Sequence, residues 1–358
     1  MIKYLGSKRT LVPHIVRIVQ ALGVHGTVLD LFSGTSRVGH ALKASGFRVV
    51  ANDHNAYAAT LGRCYVQAEA ERWEPEARRW LSELSELPGR AGWFTELYSA
   101  RSRFIQPHNA ARIEAIRDAI AGAALHPELE AILLVSLLEA ADRVDSTTGV
   151  QMAYLKQWAP RSHRALELRM PRLVPTPAAG PGVAHELDAL DAARSIDADI
   201  AYLDPPYNQH KYLGNYHVWE TLVRWDQPEV YGVACKRVDC RVRPSQFNRK
   251  RDAVGALAEV IRAVRARHLV VSFNDEGYVH RSEIEAVLSE RGEVVVSEHD
   301  FPRYVGARIG VYNPAGALVG QPGRLRNTEQ LFVVSPDADV VSRVRETLAQ
   351  NAVSTSSV

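Results

Sequence analysis

The sequence is poor in cysteine and has no long apolar run. Its 358 residues contain three cysteines, too few for a disulfide framework and in keeping with a reducing compartment. The longest apolar stretch, Ala131–Leu138, is far shorter than the ~20 residues of a membrane helix. The N-terminal segment MIKYLGSKRT also lacks the apolar run of a secretion signal. We therefore expect a cytoplasmic protein with no membrane association.

Two ligand-binding signatures are also missing. The glycine pattern GxGxxG of nicotinamide dehydrogenases does not occur in the chain. Cys235 and Cys240 are not accompanied by a second Cys/His pair at a spacing suited to zinc, so we expect no metal site. None of the cysteines follows a proline, so the Pro-Cys dipeptide that carries the nucleophile of cytosine-C5 methylation is absent as well.

Basic residues are concentrated in one segment. The net charge is only +2, yet residues 236–251 contain seven basic residues against one acid, Asp239. The seven are Lys236, Arg237, Arg241, Arg243, Arg249, Lys250 and Arg251. This concentration favours a polyanion as the partner. A solvated basic face is the alternative, and charge alone does not decide between the two.

Short apolar runs bounded by turn residues alternate with helical patterns in the first third and the last half of the chain. The predicted strands are Thr27–Phe32, Phe47–Asn52, Asp199–Leu203, His268–Phe273, Glu293–Ser297 and Gln330–Val334. The helical patterns between them include Val38–Ala44, Ala253–Arg265 and Ser282–Arg291. This alternation predicts an α/β fold with a mostly parallel sheet covered on both faces.

A helical segment interrupts that alternation. Residues 65–175 are rich in Ala, Glu, Leu and Arg, and helical patterns such as Ala110–Ala124 and Glu128–Val144 dominate them. We interpret this segment as an insertion into an α/β domain formed by residues 1–64 and 176–335. Residues 336–358 are expected to form a C-terminal helix and a partly disordered tail.

A strand followed by a glycine-containing loop lies near the N-terminus. Thr27–Phe32 runs into SGTSRVG and then into a helical pattern, an order that brings backbone N–H groups close to a ligand in α/β folds. Nineteen residues after Gly34, Asp53 follows the next strand, where an acid can accept both hydroxyl hydrogens of a ribose. Nucleoside binding is one interpretation, although a glycine turn and a strand-end acid occur in other folds too.

The tetrapeptide Asp204-Pro205-Pro206-Tyr207 follows the strand Asp199–Leu203. Two prolines cannot continue a central strand, so they predict a stiff turn at the sheet edge that holds ligands. The Asp204 carboxylate and the Pro205 carbonyl can accept the two N–H bonds of an adenine amine, and Tyr207 can stack on the base. This arrangement indicates direct methyl transfer from a sulfonium donor. A DPPY loop that merely turns the chain is the alternative.

With these motifs the chain resembles the adenine-N6 DNA methyltransferases of the DNA adenine methylase type, in which the S-adenosylmethionine loop precedes the DPPY loop. KYLGSKR (Lys3–Arg9) is similar to the family's opening motif, and DLFSGTSRVG (Asp30–Gly39) to its cofactor loop. Ser36 departs from the pattern because many members have a glycine there, and a serine fits if that residue needs no positive φ.

The resemblance implies a Rossmann-like, S-adenosylmethionine-dependent methyltransferase sheet and a helical insertion that recognises the target. It implies Asp204, Pro205, Pro206 and Tyr207 as the catalytic residues. S-adenosylmethionine would be bound by Tyr4, Gly6, Lys8, Asp30, Phe32, Gly34, Thr35, Asp53, Asp188 and Asp204.

The implied substrate is adenine in double-stranded DNA, and the base must leave the duplex at a cost of a few kcal/mol. NQHKYLGNYHVWETL (Asn208–Leu222), VVSFNDEG (Val270–Gly277) and TTGVQMAYLKQW (Thr147–Trp158) also follow the family's pattern, as does RYVGARIGVYNP with RLRNTEQLFVV. The candidate DNA-binding residues are Lys156, Tyr212, Asn215, Tyr216, His217, Lys236, Arg237, Arg249, Lys250, Arg251 and Arg303.

Two rival functions stay open at this level. A DPPY loop also serves amino methylation of cytosine-N4 or of an RNA base, although the opening motif, the motif order and the insertion favour adenine. A non-catalytic DNA-binding module is the second rival, which the intact DPPY and cofactor motifs oppose. We further expect a monomer or weak dimer, with a cognate restriction enzyme or other defence component as a candidate partner.

Overall fold

The computed structural model describes residues 1–242, 245–302, 311–312, 318–320 and 326–355. Its centre is a seven-stranded sheet with the strand order β3-β2-β1-β4-β7-β11-β8. These strands are β1 (Thr27–Asp30), β2 (Arg48–Asn52), β3 (Val183–His185), β4 (Asp197–Leu203), β7 (Arg265–Asn274), β8 (Glu293–Pro302) and β11 (Arg326–Ser335). Two small antiparallel pairs join β5 (Val230–Tyr231) to β6 (Lys236–Arg237) and β9 (Val311–Tyr312) to β10 (Leu318–Gly320).

The sheet is mostly parallel, which confirms the predicted fold class. Strands β1, β2, β3, β4 and β7 pair in parallel, whereas β11 is antiparallel to both β7 and β8. The chain proceeds outward from β1 to β3 and then returns to β4 on the other side of β1. This reversal opens a crevice at the carboxyl ends of β1 and β4, the place where open α/β sheets bind ligands.

Helices cover both faces of the sheet. The helices that pack on the sheet are α1 (Val12–Ala21), α2 (Arg37–Ala44), α8 (Ala189–Ser195), α12 (Ala253–Ala263), α13 (Arg281–Leu288) and α14 (Ala338–Thr355). Three further helices follow the DPPY loop: α9 (Tyr212–Asn215), α10 (His217–Arg224) and α11 (Asp239–Val242). Neighbouring residues of one strand enter different cores: Leu29 packs in one apolar cluster and Val28 in another. Burial on both faces explains why consecutive residues of the inner strands, such as Val28 and Leu29, are apolar instead of alternating with polar residues.

The helical segment lies between β2 and β3. It contains α3 (Ala56–Gly62), α4 (Ala70–Ser85), α5 (Trp93–Thr95), α6 (Pro107–Gly122) and α7 (Pro127–Val144). Prolines stand at the first helical position of α6 and α7, where the missing N–H has no helical partner to lose. These helices share one apolar cluster that also includes Trp219 of α10, so the segment packs against the helix that follows the DPPY loop.

Details of the boundaries differ from the sequence-based expectation. The predicted helix Ala253–Arg265 ends two residues early, because Val264 is extended (ψ 127°) and Arg265 begins β7. Helix α3 continues into a π-helical turn, Arg63–Gln67, and its Leu61 belongs to the apolar cluster of the helical segment. Helix α3 thus packs with the helical segment as well as beside the sheet. In the part of the chain that is described, no helix combines the length and apolarity needed to cross a membrane.

Candidate active site

A cavity of about 350 Å³ occupies the crevice at the carboxyl ends of β1, β2 and β4. Segments distant in sequence line it, from the N-terminal turn to α12. All ten residues suggested for cofactor binding are in its lining: Tyr4, Gly6, Lys8, Asp30, Phe32, Gly34, Thr35, Asp53, Asp188 and Asp204. Pro206 and Tyr212 also line it. The structure therefore brings the cofactor motif and the DPPY loop to one cavity.

The glycine loop after β1 has a left-handed backbone. Gly34 has φ +51°, and a Cβ there would lie 3.2 Å from the ring of Tyr4, so only glycine fits without strain. Ser36 also has a positive φ, +55°. A serine was expected to fit here only if the residue needs no positive φ. Because φ is positive, Ser36 carries a conformational cost of about 1–2 kcal/mol.

Two aspartates at the strand ends organise the loop. Asp53 accepts hydrogen bonds from the backbone N–H groups of Gly34 (2.9 Å) and Asn55 (3.0 Å). Burial raises the pKa of Asp53 to about 6, against the lowering effect of these hydrogen bonds. Asp30 accepts the N–H of Gly39 at 3.0 Å, and burial raises its pKa to about 7.

The lining of the cavity suits a polar ligand that carries a positive charge. Among the described residues, Oδ1 of Asp30 and Oγ of Ser33 are buried without a hydrogen-bond partner, and both residues line the cavity. Buried polar atoms of this kind need a partner, which a ligand can supply. Carboxylates outnumber basic side chains in the lining, and this favours a positively charged group such as a sulfonium.

The DPPY loop places Asp204 beside Lys8. Nζ of Lys8 lies 2.9 Å from Oδ1 of Asp204. Burial raises the pKa of Asp204 to about 6, which Lys8 opposes and Glu329 reinforces. Pro205 is buried, and the ring of Tyr207 packs edge-on against Phe273 with the centroids 6.0 Å apart.

Tyrosine rings join the N-terminal turn to the segment after DPPY. Tyr4 stacks on Tyr212 (centroids 5.2 Å apart) and on Tyr216 (4.8 Å). The backbone N–H of Leu5 donates to the Tyr216 hydroxyl at 2.6 Å. A Cβ at Gly6 would lie 3.3 Å from the Tyr212 hydroxyl, and Gly6 has φ +74°. Glycine is therefore required for the turn that brings Lys8 to the cavity.

The sequence interpretation missed three residues of the site. Glu329 of β11 forms a buried ion pair with Lys8. Phe247 and Asn248 line the cavity, where Phe247 meets Phe32 edge-on at 5.4 Å. The nearness of Glu329 to the apolar run Leu331–Val334 is the one local signal for it. No local pattern marks Phe247 or Asn248.

Four of the candidate DNA-binding residues have buried side chains: Asn215, Tyr216, His217 and Arg237. His217 forms a hydrogen bond through Nε2 with the carbonyl of Gln151 (3.0 Å), and burial lowers its pKa to about 3, so it is a neutral donor. Arg237 is held by Asp226 (2.7 Å) and Asp239 (2.9 Å). These four side chains therefore lie in the interior of the described structure, and their part in DNA binding remains a prediction.

The remaining candidates divide by exposure. Lys156, Arg249, Lys250 and Arg251 are exposed, and Lys236 is half-buried with Nζ 3.3 Å from Sδ of Met152. Tyr212 lines the cavity itself. Arg303 lies outside the described residues. Within the described chain no cluster of three or more metal-ligating side chains occurs, and the cysteines are free and buried.

Comparison with known proteins identifies relatives of the chain. A family model described as D12 class N6 adenine-specific DNA methyltransferase matches residues 4–287. The chain is 29% identical over 310 residues to modification methylase StsI of Streptococcus sanguinis, covering 80% of this chain and 46% of that protein. It is 28% identical over 309 residues to type II methyltransferase M.FokI of Planomicrobium okeanokoites, covering 81% and 47%.

A shorter relative matches over most of its length. Type II methyltransferase M.NlaIII of Neisseria lactamica is 28% identical over 313 residues, covering 84% of this chain and 92% of that protein. The chain spans about half the length of the two longer relatives. In the M.NlaIII alignment, by contrast, little of either protein is left unmatched.

Proposed function

We propose, since the chain belongs to the D12 class N6 adenine-specific DNA methyltransferase family, that it transfers a methyl group from S-adenosylmethionine to N6 of adenine at a specific site in double-stranded DNA. One observation carries this proposal: the glycine loop, its acids, and Asp204 and Pro206 of the DPPY loop line a single cavity. Such a cavity can hold a methyl donor and a planar amine next to each other, which in-line transfer requires.

Different residues of the chain would bind the cofactor and act on the target amine. Asp53 and the backbone of the glycine loop would bind the nucleoside of S-adenosylmethionine, and Asp30 would bind a further polar group of it. The bound cofactor supplies an electrophilic methyl carbon on a sulfonium. Asp204 and the Pro205 carbonyl would accept the N6 hydrogens, which directs the nitrogen lone pair out of the ring plane. Asp204 also stabilises the positive charge that develops on N6 and can take up the surplus proton.

Base flipping is part of the proposal, because an amine inside the duplex cannot reach a cavity in the crevice of the sheet. The half-buried Tyr207 and Pro206 are proposed to contact the extruded adenine. Incubation with isotopically labelled S-adenosylmethionine tests the substrate. Label is expected in duplex DNA that contains adenine and not in a duplex of G·C pairs alone. Incorporation into the G·C duplex would show cytosine-N4 methylation, and incorporation into RNA alone would replace DNA as the substrate.

The rate of methyl transfer should fall on the acid side. Asp204 must be ionised to accept the amine, and burial raises its pKa to about 6. At S-adenosylmethionine and DNA concentrations well below saturation, where the rate reports the free enzyme, we expect kcat/KM to drop about tenfold for each pH unit below 6. A group whose pKa is higher in the folded than in the unfolded protein binds protons more tightly when folded, so its protonation stabilises the fold. Protonation of Asp204 at pH 5 should therefore lower the rate of methyl transfer without lowering Tm. A rate that stays constant from pH 5 to 8 would contradict the assignment of Asp204.

The exposed basic residues before α12 are proposed to bind DNA phosphates. Arg249 and Arg251 flank Lys250 on the segment that follows the cavity residues Phe247 and Asn248. Asp252 lies 3.6 Å from Arg249 and 3.2 Å from Arg251, but both arginine side chains stay substantially exposed, at 47% and 82%. Exposed ion pairs are weak, so a phosphate can compete for them.

Neutralising Arg249, Lys250 and Arg251 together should flatten the salt dependence of DNA binding. The log–log slope is expected to decrease by about 0.9 per lost phosphate contact. Fluorescence anisotropy at several salt concentrations gives the slope. The matched control neutralises Arg262, Arg265 and Arg267, which are also exposed but lie near the opposite edge of the sheet, where β7 begins. Equal slopes for the two triple variants would remove this segment from the interface.

The names of the relatives suggest a partner for the enzyme. StsI is named a modification methylase and M.FokI and M.NlaIII type II methyltransferases, names that belong to restriction–modification systems. We propose a cognate restriction enzyme as the partner and a cytoplasmic location. A monomer or weak dimer, and the division into residues 1–64 with 176–335, 65–175 and 336–358, remain predictions.

A further inference from the structure

A buried carboxylate lies next to the DPPY loop on a strand that the proposed mechanism does not use. Glu329 is 1% exposed, and its neighbours Leu331 and Phe332 on β11 are fully buried. Burying an ionised carboxylate is costly unless charged and hydrogen-bonding partners compensate for the lost water. Glu329 also lies beyond residues 4–287, the part that the family model matches. Its presence in the core therefore calls for a physical reason.

Three donors surround Glu329. Nζ of Lys8 and Oγ of Ser272 both contact Oε1, and Nδ2 of Asn274 donates to Oε2 at 3.2 Å. Ser272 and Asn274 belong to β7, where Asn274 is the register partner of Glu329. The carboxylate is thus fixed by the neighbouring strand, and it presents a fixed acceptor to the lysine from the N-terminal turn.

Lys8 links the fixed carboxylate of Glu329 to the DPPY loop. Its ammonium contacts Glu329 and lies 2.9 Å from Oδ1 of Asp204. Burial lowers the pKa of Lys8, but the two carboxylates more than offset this, and the pKa stays well above its ordinary value. Lysine side chains are flexible, and this one is 6% exposed and held at its tip from both sides. Asp204 therefore has one oxygen engaged by a fixed cation, which sets the direction of the other.

The charges of the three groups also suit the reaction. Two carboxylates share one ammonium, so the ionised site carries a net negative charge. A net negative site favours the positive charge that develops on an amine nitrogen as it accepts a methyl group. With Lys8 and Asp204 alone, the pair would be neutral and this preference would be lost.

We propose that Glu329 is a positioning residue for methyl transfer: acting through Lys8, it orients the Asp204 carboxylate and keeps the site net negative. This inference rests on the proposed function, because it assigns Asp204 to the target amine. Glu329 itself does not contact the substrate in this account. Its effect belongs to the chemical step and not to the binding of cofactor or DNA.

The test compares Glu329→Gln with Glu298→Gln. Glu298 lies on β8, is half exposed and pairs with Arg281 at 2.6 Å, so it undergoes the same change of charge on the same sheet. For Glu329→Gln we expect kcat to fall roughly 30-fold with unchanged affinity for S-adenosylmethionine. The acid limb of the rate should move to lower pH by at least about half a unit, because a like charge next to Asp204 is removed. Glu298→Gln should match the wild type.

The outcomes separate this inference from the proposed function. Two results for Glu329→Gln would overturn the inference and leave the proposed function standing. The first is a wild-type kcat. The second is a lower kcat with an unmoved acid limb and a parallel loss of cofactor affinity, which would assign Glu329 to the fold alone. A wild-type chain inactive on adenine would overturn both. Should Glu329→Gln fail to fold, Glu329→Asp carries the test, because it keeps the charge and withdraws it from Lys8. A fall in kcat without a shift of the acid limb is then expected, and unchanged kcat would overturn the inference.

Discussion

Replacing Asp204 by alanine should abolish methyl transfer and leave DNA binding nearly intact. The variant loses the acceptor for the target amine and the negative charge nearest to the developing cation. Each such electrostatic contribution is worth roughly 10²–10³ in rate, so we expect a loss of about 10³-fold or more. The fold should survive, because Lys8 keeps Glu329 as its buried partner when Asp204 is removed. Single-turnover transfer of labelled methyl groups measures the effect.

A matched control lies on the same strand. Asp197 begins β4 at the opposite edge of the sheet, is 74% exposed and pairs with Arg265 at 2.9 Å. Asp197→Ala removes the same group far from the cavity and should keep the wild-type rate. The affinity for DNA should change less than about threefold in both variants, which is the size of effect expected when one charge outside the interface is removed. Turnover of Asp204→Ala at the rate of Asp197→Ala would refute the role of the DPPY carboxylate.

Replacing Asp53 by alanine should weaken S-adenosylmethionine binding by about 100-fold. Hydrogen bonds to a charged group contribute about 1.5–3 kcal/mol, and Asp53 would lose its bonds to the ribose. It would also lose the bonds that hold Gly34 and Asn55, at 2.9 and 3.0 Å, so the loop becomes less well ordered. Isothermal titration calorimetry gives the Kd directly, and kcat at saturating cofactor should stay within a few-fold of the wild type.

The Asp53→Ala variant distinguishes residues that bind the cofactor from residues that act on the target amine. If Asp53 binds the cofactor and Asp204 acts on the target, Asp53→Ala changes Kd and Asp204→Ala changes kcat. The cofactor affinity of Asp197→Ala, remote from the cavity, serves as the reference. An unchanged Kd in Asp53→Ala would show that the ribose is bound elsewhere and would detach the glycine loop from the proposed cofactor site.

Much of the fold was predictable because its signals are local. The six predicted apolar runs all form strands of the central sheet, since each is short and bounded by turn residues. Asp204 and Asp53 follow such strands directly, so the edge at which they meet follows from parallel pairing. A strand as short as Val183–His185 gives little local signal of its own, and it is not among the six predicted runs.

Long-range pairing and burial were not predictable in this way. Glu329 meets Lys8 across 321 residues of sequence, and nothing in either local pattern points to the other. Arg237 stands in the basic cluster by sequence, yet it is neutralised in the core by Asp226, eleven residues earlier. His217 occurs in a recognisable motif, but only the packing of α10 shows that its side chain is buried. A positive φ at Ser36 likewise depends on how the loop is closed against the rest of the fold.

Identification of the methylated base most directly tests the central claim that this cavity presents an adenine amine to a methyl donor. DNA from cells that express this one gene is digested to nucleosides for mass spectrometry, and the modified positions are mapped by sequencing. We predict N6-methyladenine confined to one short sequence context, and its absence from cells that express Asp204→Ala. N4-methylcytosine in place of N6-methyladenine, or unmodified DNA from cells with soluble wild-type protein, would contradict the account.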